Sequence, residues 1–87
     1  MDYQIEFTAQ ARKDARKLEH DPLKEKVLEL LSIISRNPFQ NPPPYEKIND
    51  GEGNTFSRRI NIQHRLVYMV FKEKRIIRVF RMWKHYE

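Results

Sequence analysis

A proline-rich stretch, Asn37–Pro44, divides the chain into two parts that must fold differently. Four of its eight residues are prolines. Because proline lacks a backbone N–H donor, this stretch cannot lie inside a helix or in a central strand. We therefore expect an ordered loop; the alternative is a proline-rich ligand for another protein domain, although such motifs usually lie in disordered tails.

The residues before this loop predict one strand and two helices. Tyr3–Phe7 alternates apolar and polar side chains, as a short half-buried strand does, and Thr8 is placed to cap a following helix. Apolar residues then recur at helical spacing from residue 9 to about Glu19. Asp21 and Pro22 open a second helix, with the proline at its first position, that runs to about Ser35. Both helices have an apolar stripe that needs a sheet to cover it.

The residues after the loop predict a turn and three strands. The predicted strands are Thr55–Ile62, His64–Phe71 and Arg75 to about Trp83. Asp50–Asn54 holds both glycines and is typical of a turn, while Gln63 and residues 72–74 offer tight connections. The order β-α-α-β-β-β predicts a single α+β domain, residues 1–87. Its two N-terminal helices pack on one face of a small, twisted, mainly antiparallel sheet.

Composition limits the chemistry that the chain can perform. The 87 residues include no cysteine, which excludes a disulfide framework, a thiolate zinc site and a thiol nucleophile. The three histidines lack metal-binding spacing, and no phosphate-binding loop or dinucleotide motif occurs, so we expect no metal and no cofactor. The first residues have neither a basic start nor an apolar run, and no apolar run is long enough to span a membrane. We therefore expect a cytoplasmic protein without membrane contact.

The net charge of +5 belongs to the second part of the chain. Residues 1–40 hold seven basic and seven acidic side chains, whereas residues 41–87 hold ten basic and five acidic ones. A basic surface of this kind attracts polyanions, above all nucleic acid. A solvated basic face without a ligand is the alternative, and the composition alone does not decide between them.

Three of these basic residues lie in the first two strands predicted after the proline-rich loop. Because side chains alternate along a strand, Arg58 and Arg59 must point to opposite faces, and Arg59 is the one on the polar side. Arg65 precedes an apolar run and needs an anionic partner. That partner is either a carboxylate of the fold or a substrate phosphate held by the guanidinium fork. His64 is expected to be structural.

Five segments of the second part resemble the YoeB/Txe branch of the RelE-type toxins. They are Asn37-Pro38-Phe39, Pro43-Pro44-Tyr45-Glu46-Lys47-Ile48, Phe56-Ser57-Arg58-Arg59-Ile60-Asn61, His64-Arg65-Leu66-Val67-Tyr68 and the terminal His85-Tyr86-Glu87. The resemblance implies the RelE-like microbial RNase fold. It also implies the toxin component of a type II toxin–antitoxin system, a metal-independent endoribonuclease that cuts messenger RNA in the ribosomal A site and so inhibits translation.

The resemblance also implies roles for five residues. Glu46 would be the general base that takes the proton of the ribose 2′-OH, and His85 would be the general acid that protonates the 5′-oxygen. Arg59 and Arg65 would stabilise the charge on the phosphate, and Tyr86 would position it. As a base, Glu46 should be partly buried and free of a tight ion pair with a lysine or an arginine.

The resemblance further implies partners for the basic surface. Candidate contacts to RNA or the ribosome are Lys47, Arg58, Arg78, Arg81 and Lys84, with a structural role as the alternative for Arg58. The expected partners are a cognate antitoxin, messenger RNA and the 70S ribosome, operator DNA only through the antitoxin complex, and a second copy of the chain. A non-catalytic ParE-like toxin and a plain RNA-binding module on the same scaffold are the alternative functions.

Overall fold

The computed structural model describes residues 2–48 and 54–83. The elements in chain order are β1 (Gln4–Phe7), α1 (Ala9–Leu18), α2 (Lys24–Arg36), β2 (Glu46–Ile48), β3 (Thr55–Arg59), β4 (Arg65–Phe71) and β5 (Ile76–Arg81). The five strands form one sheet in the order β1-β5-β4-β3-β2. Strand β1 runs parallel to β5, and the other neighbouring pairs are antiparallel. The predicted α+β class is confirmed, with one strand more than the sequence indicated.

The hydrophobic core lies between one face of the sheet and the two helices. Strand residues on this face alternate with those on the opposite face, as in Leu66, Tyr68 and Val70 of β4, all of which are buried. Helix α1 contributes Leu18 to the same cluster. Helix α2 contributes Val27, Leu30 and Ile34 to it, at the helical spacing that the sequence shows. In the part of the chain that the structure describes, the opposite face of the sheet is therefore free of helices and carries most of the polar side chains.

The two helices begin in different ways. Thr8 caps α1 as predicted, because its Oγ1 accepts a hydrogen bond from the backbone N–H of Ala11 at 3.1 Å. The prediction that α2 starts at Pro22 is wrong by two residues, since the helix begins at Lys24. Asp21 instead closes a turn in front of the helix, where its Oδ1 accepts from the Leu23 N–H at 2.8 Å.

Strand β2 was not predicted from the sequence. It contains three residues, and Glu46 and Ile48 lie opposite Ser57 and Thr55 of β3 in antiparallel register. A segment this short shows no clear alternation, and it begins only two residues after Pro44, where a central strand is excluded. As the edge of the sheet, β2 tolerates that proline. The predicted turn that follows lies outside the described residues except for Asn54.

The connection between β3 and β4 is longer than the single residue predicted. Strand β3 ends at Arg59 rather than at residue 62, and β4 begins at Arg65. The side-chain Oδ1 of Asn61 accepts hydrogen bonds from the backbone N–H groups of Gln63, at 2.8 Å, and His64, at 2.7 Å. This local bonding replaces the ladder of the strands, so the chain turns there. Ile62, at the tip of the turn, is 80% exposed.

Strand β5 is shorter at both ends than the predicted Arg75–Trp83. Arg75 has a φ of 57°, in the left-handed region, and its N–H donates to the carbonyl of Lys72 at 3.2 Å. Residues 72–75 therefore form the tight turn that the sequence predicted before β5. Neither helix in residues 2–48 and 54–83 has the length and apolar composition of a transmembrane span.

Candidate active site

The free face of the sheet brings Ser57 together with three of the residues that the sequence singled out. Glu46 on β2 lies opposite Ser57 on β3, and Arg59 on β3 lies opposite Arg65 on β4. Because Ser57 and Arg59 are two residues apart on one strand, all four side chains share this face. Together with residues 44 and 45 they line a cleft of about 240 Å³. We call this the β2–β4 cleft.

Arg65 already has a carboxylate partner in the fold. Its Nη1 donates to Glu46 Oε1 at 2.9 Å and to Ser57 Oγ at 3.1 Å. The Glu46 side chain is 72% exposed and that of Arg65 is 19% exposed. The expectation of a partly buried Glu46 without an ion pair is therefore wrong for the protein without substrate. Since one partner is largely solvated, the pair contributes little to stability and is open to competition by another anion.

Among the described residues, Arg59 is the unpaired cation of the cleft. Its side chain is exposed, and within the described part of the chain its guanidinium has no ion-pair or hydrogen-bond partner. It stands directly across from Arg65 on the neighbouring strand. Two like charges in this arrangement repel each other, and an anion bound between them would relieve the repulsion. The cleft thus has the charge distribution of a phosphate site beside a carboxylate.

Arg58 points away from this cleft into the interior, as the alternation along β3 predicts. Its side chain is only 1% exposed. Its guanidinium donates to the Tyr68 hydroxyl at 2.9 Å and to the carbonyls of Pro38, Gln40 and Pro43 at 3.1, 2.9 and 2.6 Å. The RNA contact expected of Arg58 does not fit this position, and the structural alternative does.

Tyr68 is the second member of this buried network. Its hydroxyl accepts from Arg58 and donates to the Pro38 carbonyl at 2.9 Å. Burial raises the pKa of the Tyr68 phenol, an effect that the nearby Arg58 charge only partly offsets. The hydroxyl therefore remains protonated at neutral pH and keeps both hydrogen bonds.

The other proposed RNA contacts differ in their surroundings. Lys47 is exposed, on the side of β2 opposite to Glu46. Arg78 is also exposed but donates to Glu6 at 3.3 Å. Arg81 is largely covered and is bound to Asp14, as described next. Lys84 lies outside the described residues. The RNA contacts proposed for these four residues remain predictions.

Asp14 is a buried carboxylate that sequence reasoning missed. It is fully buried in α1, and both of its oxygens accept hydrogen bonds, from Arg81, the backbone N–H of Met82, and Gln10. Burial alone raises its pKa, but these hydrogen bonds and the Arg81 charge outweigh that effect and hold the pKa below its usual value. The signal was its spacing, three residues after Ala11 and four before Leu18, which places it on the buried stripe.

The end of β5 is also held by an aromatic stack. The rings of His64 and Trp83 lie 4.4 Å apart at an interplanar angle of 22°. His64 immediately precedes Arg65 along the chain, and Trp83 packs against the hydrophobic core. His85 and Tyr86, the predicted acid and positioning residue, lie outside the described residues.

Comparison with known proteins agrees with this architecture. Residues 7–86 match the model of a family described as YoeB-like toxin of bacterial type II toxin-antitoxin system. No curated protein sequence matches the chain. The YoeB dimer from Staphylococcus aureus is 31% identical, with 99% of this chain and 100% of that chain covered and a TM-score of 0.81.

Two further solved structures extend the comparison. The YoeB/ParE toxin from Agrobacterium tumefaciens is 25% identical over 95% of this chain and 99% of that chain, with a TM-score of 0.85. The matching chain of the heterotetrameric YoeB-YefM toxin-antitoxin complex from S. aureus is 31% identical over 99% of this chain and 100% of that chain, with a TM-score of 0.79. The chain therefore belongs to the YoeB-like toxins of bacterial type II toxin–antitoxin systems.

Proposed function

We propose that this toxin is a metal-independent endoribonuclease that cleaves messenger RNA in the A site of the ribosome and so inhibits translation. The observation that supports this most directly is the β2–β4 cleft, where one carboxylate stands beside two arginines on the open face of the sheet. A phosphodiester needs such a combination, because cleavage requires a proton acceptor and a cationic clamp for the charge that develops on phosphorus.

In the proposed reaction, Glu46 takes the proton from the 2′-OH of the ribose. The 2′-oxygen then forms a bond to phosphorus while the bond from phosphorus to the 5′-oxygen breaks. His85 donates a proton to that 5′-oxygen, which leaves a 2′,3′-cyclic phosphate on one fragment and a 5′-hydroxyl on the other. Arg59 and Arg65 hold the non-bridging oxygens, and Tyr86 orients the phosphate. No step requires a metal ion or another cofactor.

The Glu46–Arg65 ion pair suggests how the substrate prepares the site. A phosphate that enters the cleft competes with Glu46 for the Arg65 guanidinium, which can form two parallel bonds to phosphate oxygens. Because the Glu46 side chain is largely exposed, its release costs little. The carboxylate is then available for the 2′-OH. Ser57 keeps Arg65 in place throughout, through its hydrogen bond to Nη1.

Cleavage on programmed ribosomes tests this proposal. Purified 70S ribosomes carrying a defined message are incubated with the wild type, Glu46→Gln and His85→Ala, and the cut positions are mapped. Each variant should lose about 10²–10⁴-fold in rate, the usual contribution of a general acid or base. Glu25→Gln, an exposed glutamate on α2, is the matched control and should cleave normally.

Each of three results would contradict a part of this proposal. Cleavage by both variants at the wild-type rate would remove Glu46 and His85 from the mechanism. Growth inhibition without any cleavage by the wild type would favour a non-catalytic, ParE-like toxin. Salt-dependent binding that leaves RNA intact on translating ribosomes would favour a plain RNA-binding module.

We further propose that a cognate antitoxin neutralises the toxin, as the YoeB-YefM complex from S. aureus contains both components. The ten basic and five acidic side chains of residues 41–87 suit an acidic antitoxin segment. Operator DNA would be bound only through that complex, in the cytoplasm where the messenger RNA is translated. Co-purification with the product of the neighbouring reading frame, and loss of that complex at high salt, is the expected result.

A homodimer is proposed for the free toxin, since the S. aureus relative is described as a dimer. Sedimentation of the purified chain over a range of concentrations measures this directly. A single species of monomer mass at every concentration would contradict it.

A further inference from the structure

We propose that Arg58 is a positioning residue for RNA cleavage, which acts by holding the proline-rich loop that places Glu46 in the cleft. This inference rests on the proposed function of Glu46 as the base. It concerns a side chain that does not touch the substrate, because Arg58 is buried on the opposite face of β3 from Arg59.

The loop Asn37–Pro44 has few hydrogen bonds of its own. Its prolines have no N–H group, so the loop carbonyls lack the backbone donors that would hold a loop of other residues. Within the described residues, the Asn37 side chain accepts from the backbone N–H of Phe39 and the Asn37 carbonyl accepts from that of Gln40, which closes a turn. The Gln40 side chain also donates to the carbonyl of Pro42. These bonds leave the second half of the loop largely unsupported.

Arg58 supplies the missing donors. Its guanidinium bonds three loop carbonyls, at the start, the middle and near the end of the loop: Pro38, Gln40 and Pro43. Its carbon Cζ also lies 5.0 Å from the centre of the Tyr45 ring. A planar guanidinium has five N–H groups in fixed directions, so it can bond all three carbonyls simultaneously. The ammonium group of a lysine is a single compact centre and cannot reach all three.

The loop leads directly into the catalytic carboxylate. Pro43, whose carbonyl accepts the shortest of these hydrogen bonds, at 2.6 Å, is three residues before Glu46. The intervening residues, Pro44 and Tyr45, line the β2–β4 cleft themselves. Strand β2 is a short edge strand, paired on one side with β3. Once a substrate phosphate takes the place of Glu46 on Arg65, the Glu46 side chain has no other partner among the described residues, so the anchored loop and β2 set its position.

Three variants separate positioning from folding. Arg58→Lys keeps the charge and removes the fork, and Tyr68→Phe removes one hydroxyl from the same network. Arg36→Lys is the matched control, because Arg36 is exposed on α2 and, among the described residues, bonds only Ser32. Thermal unfolding establishes the temperature below which each variant is folded. The single-turnover cleavage rate and the half-saturating toxin concentration on programmed ribosomes are then measured below that temperature.

We expect Arg58→Lys to lower the cleavage rate about 10–100-fold, the size of effect that a displacement near 1 Å can cause. Tyr68→Phe should lower it less, Arg36→Lys should have no effect, and the half-saturating concentration should not change. If Arg58→Lys does not fold, Tyr68→Phe carries the same test. An unchanged rate in the folded variant, or a raised half-saturating concentration with an unchanged rate, would overturn the proposal.

The double variant with Glu46→Gln shows through which group Arg58 acts. If it acts by placing Glu46, Arg58→Lys should cause no further loss once the carboxylate is gone. An equal loss in both backgrounds would refute positioning of Glu46 while leaving the nuclease function in place. A wild-type rate for Glu46→Gln alone would instead refute the proposed role of Glu46 as the base, and this inference with it.

Discussion

Asp14→Asn should strongly destabilise the protein, because both oxygens of the buried carboxylate accept hydrogen bonds. Oδ2 accepts from Arg81 Nε at 3.0 Å and from the Met82 N–H at 2.9 Å. Oδ1 accepts from Arg81 Nη2 at 3.4 Å and from the Gln10 amide at 3.2 Å. Asparagine has one acceptor oxygen, so either orientation places its NH₂ group against donors.

The magnitude follows from the bonds that are lost. Two of the four hydrogen bonds disappear, and those to a charged group contribute about 1.5–3 kcal/mol each. Arg81 is 27% exposed and regains some hydration, which lowers the cost. We expect the free energy of unfolding to fall by about 3 kcal/mol at neutral pH. For a chain of this length, that lowers Tm by about 15 °C.

The difference should depend on pH. The pKa of Asp14 lies below its usual value of 3.8, so above that pH the wild type has the full stabilisation from the charged carboxylate. As the pH falls through the folded-state pKa, the wild type takes up a proton and loses this stabilisation. The variant has no carboxylate to protonate at this position, so the two proteins should converge in acid.

Urea unfolding followed by circular dichroism, at pH 7 and at about pH 3, measures both effects. Asp2→Asn, which changes an exposed aspartate in the same way, is the control and should match the wild type. A loss below about 0.5 kcal/mol at pH 7, the usual range for surface changes, would refute the reasoning about burial. A full loss that persists in strong acid would refute the role of the charge.

Three other predictions follow from single positions. Arg59→Ala should lower the single-turnover cleavage rate and leave Tm unchanged, because its guanidinium has no partner among the described residues; a drop in Tm that accompanies the loss of rate would contradict this. Thr8→Ala should lower the free energy of unfolding by about 1–2 kcal/mol, measured in urea, since it removes the cap of α1, whereas Thr8→Ser should retain most of that stability. Ile62→Thr should change neither stability nor cleavage, because the side chain is at an exposed turn; a Tm shift of several degrees would show an unseen contact.

Local patterns in the sequence were sufficient for most of the elements. The threonine cap of α1 and the apolar stripe of α2 depend on neighbours along the chain, so they could be read directly. Strand β2 could not, because three residues after a proline become a strand only when β3 lies beside them. The turn around Asn61 was missed because a polar side chain took over the backbone bonds inside an apparent strand.

The candidate site was predicted in part for the same reason. Alternation along β3 assigns Arg58 and Arg59 to opposite faces without any knowledge of the fold. The pairing of Arg65 with Glu46 joins residues nineteen positions apart in different strands, and two alternatives for its partner remained open until the register was known. The role of Asp14 was hidden because its donors, Arg81 and Met82, lie at the other end of the chain.

By itself, the sequence determined the order of the two helices and four of the five strands, the loop imposed by the prolines, the concentration of charge in residues 41–87 and the resemblance to a toxin family. Only the tertiary structure decided which cations have partners. Periodicity reports which face a side chain occupies, but the groups it meets depend on strand register and helix packing. These long-range contacts bury Arg58, pair Arg65 with Glu46 and leave Arg59 free among the described residues to bind an anion.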